Sequence, residues 1–560
     1  MMRGDLRAWL PRDLVAGLTV AAYLIPQVMA YATVAGLSPV AGLWAAIPAL
    51  VAYAIFGSSR LLSMGPEATT ALMTAIAVRP LAAGHPGRYA ALAASLALLV
   101  GLMALAAWAL RLGFVSDLLS RPVLVGYMAG VALIMIADQL GRVTAVPVKG
   151  QAFSAQLVSF CRGIAGMRPA TAAVATAVLV FLLLLGSRWP HAPGPLLAVL
   201  LATAAVVAFG LSRHGVSTVG PVPAGLPAPK LPDVHPNVLR ELLLPAFTVL
   251  IVGFSDDVLT ARSFKRPEES VVANRELLAL GVANAGSSLV QGFPVSSSAT
   301  RTAIARATGA RSQVYSLATA LFALLSLLLL RPLLSRFPDA ALGAIVIYAA
   351  IRLIDVTSFR RLLAFRRVEL AIAVVTCIGV LTFNILYGVL VAIGLSVADL
   401  LVRVARPHDA VLGLVPRLAG MHDVDDYPEA RTIPGLVVYR YDAPLFFANA
   451  EDFRRRALAA ADREHDPVRW FVINVEANVE VDFTALEAMD AIREEITRRG
   501  AVLALARVKQ ELLGRLRSFG LADLIGEQRL FPTLPTAVEA YRQWAGQHGP
   551  STGKNDAGAD

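Results

Sequence analysis

The chain has 560 residues, of which 56% are apolar and only 16% charged, against about 25% charged in a typical globular protein. That much apolar surface excludes an ordinary soluble enzyme, a disordered chain, a collagen-like fibre and a disulfide scaffold, and it places most of the chain in lipid. The net charge of +10 is assigned to basic loops and anionic lipid headgroups rather than to nucleic acid. Two cysteines, Cys161 and Cys377, are too few and too far apart for a zinc site or a disulfide framework.

Residues 1–13 are polar and carry Arg3, Arg7 and Arg12. From Leu14 to about Ala405 one apolar run follows another, so the first run reads as a span and not as a cleaved leader. Spans are predicted at 14–33, 41–57, 66–79, 90–110, 121–141, 170–187, 193–211, 242–261, 276–291, 297–307, 314–332, 338–354, 369–385 and 387–405. They make about fourteen in all. An even number puts both termini on one side. Arg12, Arg60, Arg111, Arg188, Arg262, Lys265, Arg266, Arg360, Arg361, Arg366 and Arg367 share that side, which the positive-inside rule makes the cytoplasm. Arg142, Lys149, Arg162, Arg168, Arg331 and Arg336 count against this orientation. The proline-rich stretch 213–241 is expected to be an extended external connection.

After Arg406 charges become frequent, and a soluble domain is expected. Residues 406–434 read as a linker and 435–547 as an α/β unit, with strands at Leu436–Tyr439, Trp470–Val475 and Val502–Ala506. Helices are expected at Ala450–Ala461, Ala485–Arg499, Glu511–Phe519 and Pro535–Ala545, and a disordered tail at 548–560.

Two short spans are unusual. Ser63-Met64-Gly65-Pro66-Glu67-Ala68-Thr69-Thr70 and Gly292-Phe293-Pro294-Val295-Ser296-Ser297-Ser298-Ala299-Thr300-Arg301-Thr302 each place a proline and small hydroxylated residues before a short apolar run. Irregular backbone is tolerated in a membrane only inside protein or beside a water-filled cavity. A half-helix that starts there aims its amides and positive dipole end at that cavity, where an anion is stabilised. The two segments occupy corresponding places in the apolar halves 14–211 and 242–405, the pattern of a transporter site between inverted repeats. The alternative is a pair of kinked packing helices.

Within these segments Arg301 suits an oxyanion, or else it pairs with a carboxylate for structure. Asp256 and Asp257 are available for such a pair. Asp256 and Thr260 share a helix face, which makes a plausible proton or sodium site, whereas Asp257 is expected at a solvated helix end. Pro26 and Gln27 interrupt the first span between Tyr23 and Tyr31, and Glu67 either caps its half-helix or titrates. No metal-ligand cluster and no nucleophile–base constellation is visible, so neither an enzyme, a cofactor nor a resident metal is expected. His422 reads as part of an exposed linker.

These residues resemble the sulfate permease (SulP) family, called solute carrier family 26 in animals. The resemblance runs through Asp13 to Val20, Ile25-Pro26-Gln27 to Ala32, Ala35-Gly36-Leu37-Ser38-Pro39, Gly57-Ser58-Ser59-Arg60, Ser63 to Pro66, Gly292-Phe293-Pro294 and Ser298 to Gly309. Ala443 to Ala450 resembles that family's cytoplasmic STAS domain. The resemblance implies an α-helical polytopic membrane protein of fourteen spans in two inverted repeats of seven, with a soluble α/β STAS domain. It also implies a mobile core moving against a gate, a homodimer and a multi-pass place in the cytoplasmic membrane.

The implied activity is anion transport, sulfate or bicarbonate class, with a proton or sodium as co-transported cation. Dicarboxylate transport, an uncoupled channel or exchanger, and an anion sensor acting through the STAS domain are the alternatives. Carried over by motif, the substrate site takes Gln27, Tyr31, Glu67, Ala68, Thr69, Ser297, Ser298, Ala299, Thr300 and Arg301, and the coupling site takes Asp256 and Thr260. Sodium-coupled bicarbonate members have a threonine where Ala299 stands, which favours protons here. The STAS domain also resembles bacterial anti-sigma factor antagonists, where Thr484 matches a phosphorylatable position. In that place Thr484 is either a regulatory site facing a cytoplasmic partner or the N-cap of its helix.

Overall fold

The structure is a computed structural model. It describes residues 3–82, 85–117, 120–148, 150, 152–189, 192–233, 236–265, 269–383, 391, 394, 395, 397–399, 401, 402, 404–464 and 466–548. The last predicted span, 387–405, lies only partly within these residues, and the expected tail lies outside them but for His548. The chain divides into two compact units, Met1–Ser396 and Val397–Asp560.

The first unit is helical because its apolar runs can satisfy their backbone groups internally only as helices. Its first half contains α1 (Arg3–Val34), α2 (Val40–Phe56), a short strand β1 (Met64–Gly65), α3 (Ala68–Ala82), α4 (Pro86–Ala109), α5 (Arg121–Thr144), α6 (Phe153–Gly163), α7 (Pro169–Arg188) and α8 (Gly194–Ala208). The second half repeats that opening order with α9 (Pro236–Phe264), α10 (Ala273–Leu289), β2 (Ser296–Ser297) and α11 (Ala299–Ala307). It ends with α12 (Val314–Leu329), α13 (Arg331–Leu334), α14 (Asp339–Leu353), α15 (Val356–Phe365) and α16 (Arg367–Phe383). Every span predicted before residue 385 coincides with a helix. Among the described residues six helices are long and apolar enough to cross a membrane, and α2, α3, α8 and α12 are shorter apolar helices.

The helices pack in two groups. α10 packs on α2 and α4, α12 on α1 and α2, and α4 on α9, while α14 and α16 pack on α5, and α14 on α7. The groups meet where α1 lies against α8 and α14. Close approach inside each group needs glycine. A Cβ added to Gly42 would sit 1.9 Å from the Val28 carbonyl oxygen, and one added to Gly126 would sit 2.0 Å from that of Ala373.

Three expectations change here. α1 continues through Pro26 without a break. An additional helix, α6, precedes α7, with Gln156 as its buried residue. The extended connection expected over 213–241 is shorter: residues 213 and 214 end a 3-10 helix, α9 begins at Pro236, and 216–233 carry no helix but are pinned. Val219 N–H donates to Phe337 O, Lys230 N–H to Leu289 O, and the Trp44 indole to Gly225 O.

The second unit has a six-stranded sheet in the order β4-β3-β5-β6-β7-β8, built from β3 (Asp409–Leu414), β4 (Met421–Asp423), β5 (Leu436–Tyr441), β6 (Trp470–Asn474), β7 (Val502–Ala506) and β8 (Leu530–Phe531). β5 to β8 are parallel, and β3 is antiparallel to both its neighbours. The predicted linker 406–434 is therefore corrected: it supplies the edge strand β4 and the strand β3 next to it, and His422 lies in β4. The helices are α17 (Ala450–Arg463), α18 (Phe483–Arg498), α19 (Gln510–Phe519), α20 (Leu521–Ile525) and α21 (Leu534–His548).

Burial and the carboxylates of Asp409 and Asp452 push the phenols of Tyr439 and Tyr441 above their usual range, so both stay protonated donors to those acids. Thr484 is not the cap of α18. Asp482 is, accepting from Ala485 N–H at 2.8 Å and from Phe447 N–H at 2.7 Å, while Thr484 is exposed one residue into the helix.

Candidate functional site

The two short segments meet each other. β1 and β2 pair antiparallel, Met64 opposite Ser297 and Gly65 opposite Ser296. Ser298 N–H donates to Ser63 O at 2.9 Å, and Ser63 N–H to Thr302 Oγ at 3.0 Å. A two-residue pair has little stability alone, so the surrounding helices hold it. Asn284 exchanges two hydrogen bonds with the backbone of Val295, and Ser287 Oγ donates to Phe293 O at 2.7 Å. Upstream, Glu276 binds Tyr53 OH and both the N–H and Oγ of Ser58, which gives the Gly57-Ser58-Ser59 motif its structural task.

α3 and α11 start from this crossed pair, and a cavity of about 110 Å³ lies at their N-terminal ends. A single water needs roughly 10–15 Å³ of such free space, so the cavity takes a small ion. From the first helix group it is lined by Gln27 and Tyr31 of α1, Glu67, Ala68 and Thr69 at the α3 start, Asp256 of α9, and Ser297, Ser298, Ala299 and Thr300. From the second group Met128, Pro195, Tyr348 and Arg352 close it. The cavity therefore lies between the two groups.

The two helix ends differ. At α3, Glu67 Oε2 accepts from Thr69 N–H at 2.6 Å, so the protein supplies its own anion to that end. At α11 the cap is Ser298, whose Oγ accepts from Arg301 N–H at 3.4 Å. Ala299 and Thr300 are exposed to the cavity, and among the described residues no group accepts from their amides.

Arg301 does not line the cavity. Its side chain is fully buried, with Nη1 donating to Pro66 O at 3.0 Å and Gln27 Oε1 at 3.3 Å, and Nε to Ser63 Oγ at 3.4 Å. Among the described residues its Nη2 has no hydrogen-bond partner. All these partners are neutral, and the carboxylates offered for a structural pair are engaged elsewhere. Asp257, expected in solvent, is fully buried and accepts from Ser297 N–H at 2.6 Å. Asp256 accepts from Ser297 Oγ at 3.5 Å and faces the cavity. Thr260 is buried and is not among the residues that line the cavity. Gln27 Nε2 donates to Tyr31 OH at 3.0 Å, fixing which end of the amide meets Arg301.

Sequence reasoning passed over Arg352 and Tyr348. Arg352 Nη1 donates to Tyr348 OH at 3.3 Å, and the guanidinium lies over the same ring. An arginine within an apolar run was the available signal. Two carboxylates and one guanidinium thus face the space. An anion entering it is disfavoured while both acids are ionised and favoured once a cation neutralises one.

Comparison with known proteins follows this geometry. The model of the sulfate permease family matches residues 10–376, and that of the STAS domain matches residues 427–537. A Mycobacterium tuberculosis protein named a probable sulfate transporter is 56% identical over 539 residues, 96% of each chain. An Arabidopsis thaliana protein named probable sulfate transporter 4.2 is 31% identical, over 94% of this chain and 80% of its own. The murine Solute Carrier 26 family member A9 anion transporter, solved in an inward-facing state, superposes with a TM-score of 0.86 at 22% identity, over 96% of this chain and 94% of that one. The transmembrane domain of a cyanobacterium bicarbonate transporter gives 0.60 at 24%, over 69% of this chain and 97% of that one. At such identities these two structures show likeness of fold.

Proposed function

The chain belongs to the sulfate permease family, and on that premise we propose that it is a secondary active transporter that takes up an inorganic oxyanion, sulfate foremost, in symport with a proton. The observation that carries this reading is the open amide end of α11, which lies beside Asp256 on a cavity between two helix groups. The amides of Ala299 and Thr300 would hold the anion. Ser297, Ser298, Gln27, Tyr31 and the Glu67–Thr69 end would complete its surroundings, and Arg301 would act from behind as a fixed positive charge. Protonation of Asp256 would cancel one charge and lower the cost of carrying the anion. Ala299 brings no side-chain oxygen to this space, which favours a proton over sodium.

Transport would proceed by movement of one helix group past the other around the cavity, with access alternating between sides. The protein would sit in the cytoplasmic membrane as a homodimer with both termini inside. Thr484, exposed at the start of α18, would be the regulatory position toward a cytoplasmic partner.

The test is labelled anion uptake into proteoliposomes, sulfate against bicarbonate, with an inward proton gradient, an inward sodium gradient, or neither. Proton-driven accumulation of sulfate is expected. Sodium-driven bicarbonate uptake, flux indifferent to both cations, or binding without flux would each replace this reading.

A further inference from the structure

A second cavity also involves α8. It is a groove of about 450 Å³ between α7 and α8, and every side chain that lines it is apolar. Ala170, Ala173 and Ala177 of α7 face Ala198, Ala202 and Ala205 of α8, so two rows of small residues leave the furrow open. The helices belong to a membrane-spanning unit, and a furrow with no polar lining takes hydrocarbon.

The mouth of the groove is charged. Ala170 and Leu211 mark its end. Arg168 stands two residues before the one, and Arg213 and His214 follow the other, all three exposed. Arg168 Nη1 donates to Gly215 O at 3.3 Å, which draws both basic segments together. Leu157, Val158, Ile164, Met167 and Phe209 are large exposed apolar residues in or next to α6 and these basic segments. A short amphipathic helix with such a face lies at headgroup depth.

We infer that the α7–α8 groove binds a phospholipid with an anionic headgroup, its acyl chain along the alanine rows and its phosphate at Arg168, Arg213 and His214. Two arginines and a histidine at the end of an apolar furrow complement a molecule that is anionic at one end and hydrocarbon along the rest. The site bears on transport through α8. Pro195 lines the central cavity, and Ala198, one turn on, lines the groove. A chain seated there stiffens a helix that closes the central cavity.

The test uses the full chain, extracted from vesicles of phosphatidylcholine with an equal part of phosphatidylglycerol and weighed with its retained lipid by native mass spectrometry. Wild type should keep phosphatidylglycerol in preference to phosphatidylcholine. Arg168→Gln and Arg213→Gln should each lower that preference about fivefold. Ala173→Leu with Ala177→Leu, both exposed positions, should expel lipid of either kind from the groove. Arg188→Gln, at the other end of α7, is the control and should change nothing. Unchanged retention in the arginine and groove-filling variants would overturn the inference. So would an equal loss in Arg188→Gln, which would mean general surface charge. If filling the groove instead changed the oligomeric state with lipid retained, a second copy of the chain would be the occupant.

Discussion

The N-terminal ends of α3 and α11 start from the same crossed pair of strands and open on the same cavity, yet they are finished differently. α3 is closed by its own carboxylate, with Glu67 bound to the Thr69 amide at 2.6 Å. α11 is capped by a neutral hydroxyl through a longer bond of 3.4 Å, and its first two amides are left open. A helix end already holding a fixed negative charge has little left to offer a ligand. The near-symmetry of the two halves therefore yields a one-sided site, with anion recognition at α11 and negative charge at α3 and α9.

The strongest way to break the comparison is to remove the guanidinium behind both ends. Arg301→Ala orphans the Pro66 carbonyl and the Gln27 amide and leaves a void. We expect a loss on the order of 3–5 kcal/mol of stability, together with loss of anion binding. Arg301→Lys should recover folded protein but less affinity, because lysine lacks the planar fork. Thermal unfolding alongside sulfate binding in detergent checks both, and an Arg301→Ala protein that unfolds and binds like wild type would remove Arg301 from the account.

Next in size is Asp256→Asn. It should leave sulfate exchange intact and abolish accumulation driven by a proton gradient. Full gradient-driven uptake by this variant would sink the coupling assignment.

Glu67→Gln sharpens the comparison directly. It keeps an acceptor for the Thr69 amide but removes the charge, so sulfate affinity should rise on the order of tenfold. A fall in affinity, read by titration calorimetry, would mean that Glu67 serves the anion through its cap.

The smallest effects are at the caps. Ser298→Ala should cost less than about 1 kcal/mol, given its long bond. Asp482→Ala in the soluble unit breaks two short bonds and should cost about 1–2 kcal/mol of that unit's stability. Chemical denaturation followed separately for each unit would reverse this order if bond length did not govern cap strength.

Much of this was legible in the sequence, and for identifiable reasons. Apolar runs locate the spans because lipid tolerates so few alternatives, and the proline, glycine and hydroxyl clusters at Ser63–Thr70 and Gly292–Thr302 mark irregular backbone wherever it occurs. Contact between these two clusters was not legible, since it depends on residues such as Asn284 and Asp257 that look like ordinary helix positions. Asp257 is the plainest case. At a helix end it reads as solvated, and only the fold shows it binding the Ser297 amide. Thr260 lies off the cavity lining for a related reason, because helical periodicity gives a shared face but not which side chains on it reach the space. β4 was hidden because a three-residue edge strand carries few buried positions, and β3, next to it, because Asp409–Asp423 as a whole has the composition of a linker.

The most direct test of the one-sided site is to locate the anion itself. Selenate, a heavier analogue of sulfate, can be bound to the protein and placed by its anomalous scattering. The signal should fall within hydrogen-bond distance of the amides of Ala299 and Thr300, on the Asp256 side of the cavity. A signal at the α3 end beside Glu67, or none in the space between the two helix groups, would contradict it.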